Sequence, residues 1–160
     1  MEYVVSWSMG YVSDYNSANL KTEIIREVGG EPQMIRWKSP GSGMYKLNID
    51  VYLEMGLRKT GLGMVIWDHT GFMMASSAQR IEALYTPQIV KALAILQGLT
   101  FAIETGLYPV IVESDAFEVV NLVNSSSKVF TKIGVVVGDI RILLHSIAGG
   151  HLGGCIQLGF

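Results

Sequence analysis

Two aspartates and one lysine carry the chemistry this sequence can offer. Asp50 lies in "MYKLNIDVYL" and Asp115 closes "PVIVESD". Both sit in runs that read as strands. Two carboxylates brought close together repel each other and gain by sharing a hard cation such as Mg²⁺ or Mn²⁺. The bland alternative makes Asp50 a polar residue near a strand end and Asp115 the N-cap of a helix opening at "AFEVV". The lysine is Lys91, in "TPQIVKALAILQGLTFAIETG". There Thr86 suits an N-cap, Pro87 the first helical position and Gly106 the stop. Going up that helix from Lys91, the residues Ala94, Ile95, Gly98 and Ala102 form a small apolar stripe of the kind that lies against a sheet. A cation therefore stands at the foot of a stripe that should be buried.

The elements that must position these residues follow from periodicity and turn chemistry. Residues 1–36 differ from the rest and read as a linker or helical appendage, capped by Ser13 or Asp14 and ending at Gly29-Gly30 and Pro32. "KSPGSG" is a loop. Met44–Leu53, Gly61–Asp68 and "FMMASSAQ" read as three strands, with "DHTG" a tight turn that has Asp first and Gly fourth. Short connections make them an antiparallel meander. A helix over Thr86–Thr105 leads to a buried strand over Pro109–Asp115, a short helix "AFEVVNLVN", a helix from about Val136, and a last strand in "GCIQLGF". The order β-β-β-α-β-α-α-β implies an α/β fold with a mixed sheet and helices on its faces. The helix crossover sets the fourth strand parallel to the first, which makes Asp50 and Asp115 neighbours.

Composition narrows the classes. The chain has 160 residues, 49% hydrophobic and 16% charged, which excludes a disordered chain. Its net charge of −2 gives no general pull toward nucleic acid, so any such contact must come from a local patch. Lys46, Arg58 and Lys59 are the residues for one, against the alternative of a solvated surface. Cys155 is the single cysteine, so neither an internal disulfide nor a cysteine-based zinc site is available. No secretory signal or membrane-length apolar run is visible, which points to an intracellular protein, nuclear or cytoplasmic. His69, His145 and His151 lack partners at metal-ligand spacing, and "GLG" at Gly61–Gly63 lacks the context of a phosphate loop.

Several motifs agree, in order, with one family. "W-K-x-P-x-x-G-x-x-K-L-N-x-D" over Trp37–Asp50 resembles the opening of the plant ribonuclease H-like domain, of ribonuclease H type 1 and related to non-LTR retrotransposon polyproteins. "GLGMVIWDHTG" resembles its second hairpin, with Trp67 where arginine is usual. "KALAILQGLTFAIETGLYPVIVESDAFEVVNLVN" and "DIRILL" resemble its central run and last helix, and "YVSDYNSAN" the linker upstream. The resemblance covers roughly residues 5–160, with residues 37–160 as the domain proper.

The resemblance implies a five-stranded mixed sheet with helices on both faces. It implies cleavage of RNA in RNA–DNA hybrids, in which four carboxylates hold two Mg²⁺ ions that activate a water and stabilise the leaving oxygen. Asp50 and Asp115 match two of the four. Lys91 stands at the family's glutamate position, so a metal ligand is replaced by a cation. The family's fourth ligand follows the fifth strand, where this sequence stops at Phe160, so the domain reads as C-terminally truncated. The resemblance thus implies a domain with weakened Mg²⁺ or Mn²⁺ binding, weak hybrid binding and impaired cleavage. An active nuclease, and an interaction module or decayed retroelement fragment, remain as alternatives.

Overall fold

The computed structural model describes residues 37–54, 59–82, 85–126, 131–147 and 156–158. Ser13, Arg58, His151, Cys155 and the N-terminal helix expected from the sequence lie outside them. The chain divides into two compact units, Met1–Lys38 and Ser39–Phe160. The elements of the second unit are β1 (Tyr45–Glu54), β2 (Lys59–Trp67), β3 (Met73–Glu82), α1 (Pro87–Glu104), β4 (Val110–Ser114), α2 (Phe117–Asn124), α3 (Lys132–Ile147) and β5 (Ile156–Leu158). The sheet runs β3-β2-β1-β4-β5. β1 pairs antiparallel with β2, and β2 with β3, while β4 runs parallel to β1 and to the short β5.

Alternation along the strands sorts the sheet into two faces. Leu47 and Ile49 of β1, Leu62, Met64 and Ile66 of β2 and Val110 and Val112 of β4 share the buried face. All three described helices add their buried residues to the same core as that face. The turn between β2 and β3 forms as its residues dictate. The Gly71 N–H donates to the Asp68 carbonyl at 3.1 Å, and Gly71 has φ 81°. The Asp68 carboxylate accepts from the Thr70 N–H, the Thr70 hydroxyl and the Phe72 N–H. These bonds hold its pKa below the ordinary aspartate value, the Thr70 hydroxyl contributing most.

α1 is the element that carries Lys91. Its first turn opens at Thr86 and Pro87, but the Thr86 side chain makes no capping bond. Its end is a Schellman motif, in which Leu107 N–H donates to Ala102 C=O and Gly106 N–H to Ile103 C=O, with Gly106 at φ 71°. The small stripe packs on β1 so closely that a Cβ at Gly98 would stand 2.7 Å from Ile49 Cδ1 and 3.0 Å from Leu47 Cδ2. Glycine is therefore what lets this helix reach the sheet.

α3 begins at Lys132, four residues before the point its sequence suggests. The β-branched run Val135–Val137 lowers helix propensity only slightly, and burial of Val137, Ile140, Leu144 and Ile147 outweighs it. Arg141 reaches from α3 to the end of α2, where it donates to the carbonyls of Leu122, Val123 and Ser125. One guanidinium thus satisfies the carbonyls that a helix C-terminus leaves open.

Candidate functional site

The parallel pairing of β1 and β4 brings the two aspartates to one end of the sheet. Its last rung joins Ile49 to Ser114, so Asp50 and Asp115 stand one residue further along adjacent strands. Neighbouring strands lie about 4.8 Å apart, and partners on a parallel rung share a face. One step back, Asn48 and Glu113 share a rung, and Asn48 Nδ2 donates to Glu113 Oε2 at 2.9 Å. Both Asp50 and Asp115 are exposed, and Asp50 Oδ1 accepts from the Val51 N–H at 2.8 Å.

Lys91 comes to the same place from the helix. Its Nζ lies 3.0 Å from Asp115 Oδ2, with side chains 28% and 63% exposed. Asp115 is not the N-cap of α2. That position is held by Ala116, without a side-chain capping bond, and the Asp115 carboxylate turns to the ammonium instead. Gln88, three residues before Lys91 and so on the same side of α1, hydrogen-bonds to Glu118 of α2. The first two turns of α1 are thereby tied twice to the segment after β4.

These donors do not fit a two-metal centre. Such a centre needs several anionic oxygens converging on two dications. Here one oxygen of Asp115 already faces an ammonium, and among the described residues no three His, Cys, Asp or Glu side chains gather around a common point. What the arrangement offers is a charge-neutralised Lys–Asp pair beside an exposed Asp50.

Lys46 and Lys59, expected with Arg58 in a basic patch, stand apart among the described residues. Lys46 is 6% exposed, and its Nζ lies 2.6 Å from Glu113 Oε1. It pairs with Trp67 at one end of the β1–β2 ladder, whereas Lys59 pairs with Glu54 at the other. Lys46 is thus a structural cation, and the patch is corrected to Lys59 among the described residues. The Lys46–Asn48–Glu113 network was not read from the sequence as one. Its signal was available in the i, i+2 spacing of Lys46 and Asn48 and in Glu113 two residues before Asp115, which put all three on one face once the parallel register is known. His69 and His145 are exposed.

Residues 48–148 match the family described as Reverse transcriptase-like. None of the curated proteins matches the chain. Among solved structures, RNase H1 from the halophilic archaeon Halobacterium salinarum has a TM-score of 0.58 at 14% identity, over 73% of this chain and 86% of that one. The N-terminal RNase H domain of a Mycobacterium tuberculosis protein gives 0.59 at 18%, over 72% and 81%. An RNase H1 solved in complex with RNA/DNA hybrid gives 0.61 at 17%, over 72% and 84%. At these identities the likeness establishes the fold, an α/β ribonuclease H-like mixed sheet with flanking helices.

Proposed function

The chain belongs to the reverse transcriptase-like family, and from that footing we propose that residues 37–160 form a nucleic-acid-binding domain that has kept the frame of a hybrid ribonuclease while its cleavage is impaired. The observation that carries this reading is the ion pair at 3.0 Å between Lys91 and Asp115. A cation built into the chain stands at a carboxylate that, in the resembled enzymes, serves a metal. It relieves the repulsion between Asp50 and Asp115 and disfavours a dication at the same oxygens. Mg²⁺ and Mn²⁺ binding is accordingly weak. The quoted motifs support descent from the plant, retrotransposon-related branch, and an RNA–DNA hybrid as the ligand. An intracellular setting, nuclear or cytoplasmic, suits such a ligand, and no described helix is long and apolar enough to cross a membrane.

Binding to a duplex should be weak and moderately salt-dependent. With Lys46 held inside the sheet, Lys59 and Arg58 remain, so log affinity should fall with log salt at a slope of about −2. The test pairs fluorescence anisotropy on a labelled RNA–DNA hybrid with a cleavage assay in Mg²⁺ and in Mn²⁺. Salt-sensitive binding without cleavage supports the reading. Metal-dependent cleavage that disappears in Asp50→Asn would establish an active nuclease. Absence of binding at low salt would leave an interaction module or a decayed fragment.

A further inference from the structure

On the sheet face that carries Asp50, the next rung holds an aromatic ring and a guanidinium on either side of a glycine. Tyr52 pairs with Gly61, and Gly61 pairs with Arg80. Directly opposite residues share a face, so Tyr52 and Arg80 flank Gly61 at about 10 Å, two strand spacings. Tyr52 is 68% exposed and Arg80 is exposed, with no ion pair among the described residues. The preceding rung is Asp50, Gly63 and Ala78, so this surface runs directly into the Asp50 site.

Packing among the described residues does not account for the two glycines. A Cβ at Gly63 would meet nothing within 4 Å, and one at Gly61 only Tyr52 Cβ at 3.7 Å, an ordinary contact. Both lie in the interior of a strand, where glycine weakens the sheet. Gly98, where a Cβ would collide with Ile49, shows what a packing requirement looks like in the same protein.

We infer that Tyr52, Gly61 and Arg80 form a subsite for an unpaired nucleotide, the base stacking on Tyr52 and a neighbouring phosphate meeting Arg80 across the glycine floor. This rests on the nucleic-acid-binding reading above and adds the strand state of the ligand. An exposed aromatic ring on a sheet face offers a stacking surface, and only a base free of a duplex stack can use it. The phosphate needs a cation within a nucleotide's reach of that ring, and Arg80 is the cation on the same rung. Glycine at 61 and 63 lets the sugar–phosphate backbone approach the sheet.

Anisotropy titrations of the full chain with fluorescein-labelled oligouridylate, and with the same strand in an RNA–DNA hybrid, test this. Both should bind, and the substitutions below should act on the single strand and spare the hybrid. Tyr52→Ala should weaken single-strand binding about 5- to 150-fold, the range of one base–aromatic stack. Tyr52→Phe should retain it, because stacking needs the ring and not the hydroxyl. Arg80→Ala should weaken it and make the salt slope shallower by about 0.7. Gly63→Val fits the open space and the strand, so it should keep or raise the melting temperature while blocking binding. Single-strand affinity unchanged in Tyr52→Ala or in folded Gly63→Val would overturn the subsite while leaving hybrid binding to stand. No binding of either nucleic acid by the wild type would overturn the subsite and the broader reading together.

Discussion

Replacing Lys91 by glutamate turns the Lys91–Asp115 ion pair beside Asp50 into a group of three carboxylates. At 3.0 Å, with an effective dielectric of about 20, the Lys91–Asp115 attraction is about 5–6 kcal/mol before solvation is counted. Asp115 is 63% exposed and Lys91 28%, so water and salt reduce the net value of the pair to about 0–1 kcal/mol. Lys91→Met should therefore cost no more than about 1 kcal/mol. Lys91→Glu loses the pair and also sets a third carboxylate beside Asp115 and Asp50, for a total of roughly 1–2 kcal/mol in metal-free buffer. That difference should shrink in 1 M salt, where the screening length is about 3 Å. Mn²⁺ should restore the lost stability of Lys91→Glu and leave the wild type nearly unchanged, since only the variant gains from a bound cation. Urea denaturation with and without Mn²⁺, together with calorimetric titration of the metal, measures both effects. Wild-type protein that binds Mn²⁺ as tightly as Lys91→Glu would show that Lys91 does not oppose the metal. So would a variant as stable as wild type without metal, since either result places the ammonium in water rather than on Asp115.

Three further substitutions probe the frame around the site. Glu113→Ala removes the carboxylate from the nearly buried Lys46 ammonium and should cost about 3–5 kcal/mol, whereas the double substitution Lys46→Met/Glu113→Leu should recover most of it; equal losses in the two proteins by urea denaturation would show that the ion pair is not what matters there. Gly98→Ala should destabilise by about 1–2 kcal/mol despite the better helix propensity of alanine, because overpacking against Ile49 outweighs the gain. Adding Ile49→Val deletes the colliding Cδ1 and should return part of that loss, and a Gly98→Ala protein more stable than wild type would show that α1 can shift outward. The Asp68 pKa is lowered in the folded state by the Thr70 and Phe72 bonds, so its contribution to stability is present above the unfolded value of about 3.9 and is lost as pH falls through the folded value. Asp68→Asn should flatten that part of the acid-unfolding curve, and an unchanged curve below about pH 4 would mean the turn gives no pH dependence.

Neighbouring residues alone set the elements and the sheet order around the first strand. Local chemistry is strong there: Pro87 and Gly106 bound α1, Asp68 and Gly71 close the turn between β2 and β3, and alternation marks Leu47 and Ile49 as core. These signals depend on backbone geometry and on period, both of which are written in neighbouring residues. The parallel pairing of the strands that lead to Asp50 and Asp115 was legible for a similar reason, since a helix crossover from the meander leaves β4 few places to go. Where each charged side chain points was decided by the tertiary structure. Lys46 reads as a surface cation until the parallel register sets Glu113 on the adjoining strand and turns the pair inward. Asp115 reads equally well as an N-cap until α1 crosses the sheet and delivers Lys91 to it. Tyr52 and Arg80 are 28 positions apart and become neighbours only through Gly61, because cross-strand pairing joins residues whose separation along the chain says nothing about their separation in space.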